Sequence, residues 1–266
     1  MNAGQFLVRG LLAGMIAGLA AFGVAYAVGE RSVNAAIAIE QSEADTHEHA
    51  DTHEHADDQH ATDPAHSDMT EVSRRNQSTW GLLTATVAIG VALGGLTALA
   101  SAFAMGRLGR LSPVQSTAVV AAIGFVAVAL VPFLKYPANP PAVGNPETIS
   151  ERTSLYFAMV GIAIVAAIVE TLFGALLFKR GASAYVATVL PILGFTAVVS
   201  VAALALPAVN ELGDFPADVL WSFRTASILT SAALWATLGI VLTGLIGRLH
   251  AREAAAQARR DLAASL

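Results

Sequence analysis

The sequence predicts an all-α integral membrane protein of about six transmembrane helices, with a long His-rich extracytoplasmic loop between helices 1 and 2. Apolar residues make up 55% of the 266-residue chain and charged residues only 13%, a departure from globular composition toward a membrane protein. The charges are concentrated in a few places and long uncharged apolar runs fill the rest, so hydrocarbon must be the main solvent of the fold. No cysteine is present, so any bound metal must use nitrogen, oxygen or thioether donors, which disfavours copper(I). A single membrane domain, 1–266, accounts for the chain.

The first span, 10–29, is a run of 20 residues without a charge, about 30 Å long as a helix. Arg9 before it and Ala25-Tyr26-Ala27 near its end also fit a cleaved signal peptide. The double G-x-x-x-G of Gly10, Gly14 and Gly18 favours a retained anchor, because close approach of a neighbouring helix has no use in a segment that is removed. Over 30–41, Val33, Ala36 and Ile37 oppose Glu30, Asn34, Glu40 and Gln41, the pattern of a helix leaving the membrane with one wet face. A flexible acidic loop, 44–79, follows, and Trp80 marks the interface at which the second span, 80–105, begins. Gly90 and Gly94 repeat the spacing of the first span, which suits the two helices to pack together.

Arg107 and Arg110 mark a short loop, and Ser112-Pro113 reads as the N-cap and first residue of the third span, 113–134. Four of the ten prolines fall in 135–146 and predict a stiff extended loop. Thr148 with Glu151 resembles a capping box before the fourth span, 153–178, which Lys179 and Arg180 close. The fifth span, 185–208, carries Pro191 and Gly194 in its first half, where a kink is expected. An acidic loop with Glu211, Asp214 and Asp218 leads past Trp221 to the sixth span, 225–247. Residues 248–266 form a basic, alanine-rich cytoplasmic tail, expected to be helical and to lie against anionic headgroups.

Basic residues set the orientation. With the N-terminus inside, nine of the fifteen lysines and arginines lie on the inner side, while the other side has six against seventeen acidic residues. The chain is therefore expected to cross the inner (plasma) membrane several times, with both termini cytoplasmic and the His-rich loop outside.

That loop repeats Asp-Thr-His-Glu-His-Ala twice within 45–66 and holds six of the seven histidines. His47, His49, His53, His55, His60 and His66 stand among Asp51, Asp57, Glu48 and Glu54, a mixture of imidazole and carboxylate suited to cobalt, nickel, zinc or copper(II). A solvated acidic linker with incidental histidines is the alternative; a tandem His-x-His repeat favours weak, multi-site metal capture. Nothing rigid supports a catalytic site there.

Glu170 is the one formally charged residue inside these six spans. A carboxylate in hydrocarbon costs about 3 kcal/mol on insertion scales, so a functional role is its default reading. Pro191 lies at a similar depth and cannot bond the carbonyl of Ala187, which leaves two oxygen acceptors for a cation at one level. Met159, eleven residues before Glu170 on nearly the same face, offers a thioether to such a pathway, although packing is the commoner role of a methionine. For Glu170 the rival is a protonated acid bonded to a neighbouring helix. No G-x-x-x-x-G-K-[ST] loop occurs, so the chain offers no ATP site, and H-E-x-x-H is absent. Charge and hydropathy give no support to nucleic-acid binding, and nothing points to an enzyme.

The small-residue first helix ending in Gly29-Glu30, the Ala35-Ala36-Ile37-Ala38-Ile39-Glu40 continuation, the His-rich loop and above all Pro132-Phe133-Leu134-Lys135-Tyr136-Pro137-Ala138-Asn139-Pro140-Pro141-Ala142-Val143-Gly144 together resemble the predicted cobalt transporter subunit family CbtA. The resemblance covers nearly the whole chain. It implies cobalt import, often with a small single-span CbtB partner, and an association of Glu30, Glu40 and the His tract with metal capture. Many relatives carry a Leu-Pro-Pro-rich loop where this chain has 135–144. The expected function is thus a permease subunit for uptake of a divalent transition metal, Co2+ first with Ni2+ or Zn2+ as alternatives. A non-transporting metal-binding or assembly protein and a metal exporter are the other classes.

Overall fold

The structure is a computed structural model that describes residues 2–51, 73–109, 111–141 and 143–265, the side chains of 43–51 excepted. All regular elements among these residues are helical, and six stretches are long and apolar enough to cross a membrane: Ala3–Ser42, Arg74–Ala104, Pro113–Lys135, Pro146–Lys179, Ala184–Ala205 and Ala217–Ala264. An even number of crossings puts both ends of the chain at one end of the bundle, here the terminal end; the opposite one is the distal end.

Helix α1 (Ala3–Val24) starts at Asn2, whose side chain accepts from the Gln5 amide while the Gln5 side chain accepts from the Asn2 amide. It passes through a π-turn, Ala25–Gly29, into α2 (Glu30–Asp51). The helix therefore reaches beyond residue 44, where the sequence pattern placed the start of a loop. The reason is that 30–51 contains neither glycine nor proline to stop it. Residues 52–72 of that expected loop lie outside the described residues.

Helix α3 (Arg74–Asn76) is capped by Ser73 and leads through a second π-turn, Gln77–Gly81, into α4 (Leu82–Ala104). Helix α5 (Pro113–Gly124) opens with a reciprocal cap between Ser112 and Gln115, continues through a π-helical stretch, Phe125–Leu130, and ends as α6 (Val131–Lys135).

Helix α7 (Ile149–Lys179) differs from expectation at its start. Thr148 makes no capping bond to the helix, because its hydroxyl is directed to the Asn145 carbonyl and the Glu211 carboxylate, each 2.9 Å away. Helix α8 (Ala184–Ala205) runs through Pro191 and stops at Leu206, whose extended backbone follows from Pro207 behind it. Helix α9 (Ala217–Ala264) is one element of 48 residues. The tail beyond 247 is helical and continues the span without a break, since no proline interrupts it and alanine sustains the helix.

Packing rests on direct backbone contact between α1 and α4. A Cβ placed on Gly10 would strike the Gly94 carbonyl oxygen and the Ala98 side chain, one on Gly14 the Gly90 carbonyl, and one on Gly18 would stand 2.6 Å from the Thr86 carbonyl. The reverse holds too, since a Cβ on Gly94 would lie 2.7 Å from the Gly14 Cα. Lipid tails give no hydrophobic drive to helix pairing, so association depends on such close contact and on dispersion. Helix α9 then lays Leu234, Trp235, Leu238, Leu242 and Ile246 against Phe6, Ala13, Ala17 and Ala21 of α1 and Ala98 of α4. The Trp235 ring covers Gly124, where a Cβ would be 2.5 Å from it. A second cluster, Ala127, Val131, Met159, Ala163 and Ala167, joins the third span to α7 and takes Phe195 and Val199 of α8 at its edge.

Gly14→Leu is expected to destabilise the folded protein by on the order of 3 kcal/mol, the upper part of the range for overpacking. Gly23→Leu should have no such effect, since nothing lies within 4 Å of a Cβ there. Denaturant titration in detergent micelles measures both; equal behaviour of the two variants would contradict the glycine contact.

Candidate functional site

Two cavities with polar groups lie at opposite ends of the bundle. The terminal-end cavity has a volume of about 450 Å³ and is bounded by Leu108, Gly109 and Leu111 of the loop after α4, Val119 and Ile123 of α5, Glu170, Thr171, Gly174 and Phe178 of α7, and Ala187, Thr188 and Pro191 of α8. Phe178 lies against the loop, where a Cβ on Gly109 would be 3.1 Å from its ring. Glu170 is eight residues, about 12 Å, deeper along α7.

Small residues make this arrangement possible. A Cβ on Gly194 would lie 2.6 and 2.7 Å from the two carboxylate oxygens of Glu170, so only glycine leaves room for the acid against α8. One turn along α7, a Cβ on Gly174 would lie 2.7 Å from the Ala187 carbonyl oxygen. That carbonyl receives no i+4 hydrogen bond, because Pro191 has no N–H. The carboxylate of Glu170 and the backbone oxygen of Ala187 thus face one space on successive turns, with the hydroxyl-bearing Thr171 and Thr188 in the same wall. Oxygen donors of this kind suit a hard or borderline divalent cation that keeps part of its water shell. Met159 is elsewhere: it is 1% exposed, packed in the second apolar cluster, and does not line this cavity.

The distal-end cavity, about 310 Å³, lies among Ala25, Gly29, Glu30, Val33, Leu82, Phe223, Ala226, Ser227 and Thr230. Glu30 pairs with Arg74, which is not one of the lining residues; Arg74 Nη2 donates to Oε2 of the carboxylate while its Nε donates to Asn34 Oδ1 at 3.2 Å. Glu40 is exposed, ten residues farther along α2 and about 15 Å away, so the structure does not bring it to Glu30. His47, His49 and Asp51 are carried by the helical backbone of α2, but their side chains lie outside the described residues, as do His53, His55, Asp57, His60 and His66 entirely. Among the described residues no three histidine, aspartate or glutamate side chains gather as metal ligands.

A clasp at the distal end ties the proline-rich loop to the loop before α9. The Glu211 carboxylate accepts from the Asn145 amide at 3.0 Å and the Thr148 hydroxyl at 2.9 Å, with Arg152 Nε 3.6 Å away. Tyr136 donates to the Pro207 carbonyl at 2.8 Å and Arg224 to Asn139 at 3.0 Å. Gly144 has φ +101°, and a Cβ there would also collide with the Arg152 guanidinium. Sequence reasoning passed over Arg74, Arg152, Glu211 and Arg224 as pairing residues. For Arg74 a signal was present: equal steps along α1 and back along α4 from the glycine pairs put it opposite Glu30.

A family model described as probable cobalt transporter subunit (CbtA) matches residues 3–247, nearly the whole chain. No curated protein matches the chain, and no solved structure does.

The bonds from Asn145 and Thr148 and the charge of Arg152 hold the Glu211 carboxyl below the ordinary glutamate range. A carboxyl depressed in this way stabilises the clasp above its unfolded pKa and loses that contribution as pH falls through the folded value. Hydrogen exchange at the Asn145 amide should accordingly stay slow, after correction for intrinsic rate, from neutral pH down to about 4.3, the ordinary glutamate value, and quicken below it. Glu211→Ala should abolish the protection at every pH. Opening of the unaltered clasp at pH 5 to 6 would contradict this account.

Proposed function

The chain belongs to the CbtA family of probable cobalt transporter subunits, and we propose that it is a permease subunit for uptake of a divalent transition-metal ion, cobalt first, across the inner (plasma) membrane. The observation that carries this reading is a carboxylate inside an apolar span, set in a cavity beside a carbonyl that proline has left without its helical partner. A charge in that position is stabilised by a cation or by a water-filled path, both of which transport requires. Nickel and zinc accept the same donors.

In this reading both termini are cytoplasmic, as the basic loops indicate, so Glu170 opens toward the cytoplasm and the His tract collects metal outside. The tract works as a scavenger, raising the local concentration of ion at the distal end, and Glu170 with Ala187 forms the site from which the ion leaves. Met159 contributes packing. As a subunit the chain acts with other chains, and a small single-span CbtB-like protein is the partner we propose from the sequence resemblance.

Glu170→Gln keeps the volume and hydrogen-bonding capacity of the side chain but removes its charge. Cobalt uptake should fall at least tenfold, about 1.4 kcal/mol of lost stabilisation, with the amount of folded protein in the membrane unchanged. Uptake near the unaltered level would mark Glu170 as a packing acid and remove it from the path. Deletion of 45–66 should slow uptake when cobalt is scarce and matter little when it is abundant; complete loss at saturating cobalt would show that the tract is more than a collector. Because imidazole binds metal only when neutral, the contribution of the tract should fade below about pH 6.5.

A further inference from the structure

We propose that Arg74 is a tethered cation paired with the acid of a divalent-cation entry site at the distal end of the bundle, and that an incoming ion binds in the cavity by displacing it from Glu30. The proposal deepens the uptake reading and rests on it for the direction of travel, but not for the binding event. Glu30 is the acid of the distal cavity, and its side chain is only 16% exposed. The hydroxyl-bearing Ser227 and Thr230 of α9 line the same cavity. Its volume of about 310 Å³ exceeds the roughly 180 Å³ that six waters take at about 30 Å³ each, so a hydrated dication fits.

The guanidinium is placed to be exchanged. One of its nitrogens reaches one carboxylate oxygen and another reaches Asn34, one turn along α2, so the carboxylate is not clamped by both arms of the fork. Arg74 is 35% exposed and returns to water when released, whereas a carboxylate left unpaired in the cavity would bear an uncompensated desolvation cost. Exchange therefore has a charge threshold. A monovalent ion replaces one positive charge by another and gains nothing to offset its own dehydration, while a dication brings twice the charge to the same acid. Arg74 thereby sets affinity and excludes sodium and potassium.

Two measurements test this. In the unaltered full-length protein, saturating Co2+ should speed modification of Arg74 by phenylglyoxal at least about fivefold, within the usual range of coupling between a ligand and a local equilibrium. Arg75 serves as the reference, and mass spectrometry of the peptides reads both. No change at Arg74 would overturn the proposal. Secondly, in the full chain with the six tract histidines changed to Gln, Arg74→Gln should tighten Co2+ binding by equilibrium dialysis about tenfold, or 1.4 kcal/mol. Potassium should become an effective competitor, and adding Glu30→Gln should cancel both effects. Unchanged binding by a folded Arg74→Gln protein, or a gain that survives Glu30→Gln, would defeat the proposal. Absence of cobalt uptake by vesicles containing the unaltered chain, with the binding gain intact, would defeat the transport reading alone.

Discussion

Backbone contact between α1 and α4 is the constraint on which the rest of the bundle depends. Gly10, Gly14 and Gly18 meet Gly94, Gly90 and Thr86, each step of four along one helix matched by four back along the other. Continuing that register by twelve residues on each side leads from Gly18 and Thr86 to Glu30 and Arg74, which do meet. The interval contains a π-turn on both helices, Ala25–Gly29 in one and Gln77–Gly81 in the other. An extra residue in one helix alone would move its partner out of register; one in each keeps the pairing aligned while widening both turns. A ladder of glycines deep in the membrane thus positions an ion pair at its rim.

The same principle, applied at a second pair of helices, builds the terminal-end cavity. Helix α8 packs chiefly on α7, and among its residues only Pro191 is buried. The pair is joined by the fit of Gly174 against the Ala187 carbonyl and of Gly194 against Glu170, and by Phe195 and Val199 at the edge of the Met159 cluster. The carboxylate, carried by α7, thus packs against α8, the least enclosed span of the bundle, whereas α1, α4 and α9 carry its tightest core.

The six apolar stretches were legible because hydropathy and charge report directly on contact with lipid. Helix ends were less so: α2 and α9 run on into polar sequence where no breaker stops them, and Leu206 ends α8 because of the proline behind it, so local backbone chemistry decided what hydropathy could not. At the terminal-end cavity, counting residues from the loops brought Glu170, Pro191 and Ala187 to neighbouring levels of two helices joined by a short turn, but did not reveal the one-turn offset by which Glu170 faces Gly194 while Ala187 and Pro191 face Gly174. The Glu30 and Arg74 pair needed the glycine register as well, and the Glu211 clasp joins loops whose meeting no local pattern specifies. Thr148 shows the same limit, as its capping signature was overridden by a carboxylate 63 positions away.

The account has an acid at each end of a membrane bundle, one guarded by a resident arginine and one beside a carbonyl freed by proline, and its central claim is inward movement of cobalt. The most direct measurement is accumulation of radioactive Co2+ by cells that do and do not make this protein, at equal external cobalt and with any partner subunit present in both. The account predicts faster accumulation when the protein is made. Equal accumulation would contradict a transport role, and slower accumulation would reverse the direction and make the protein an exporter.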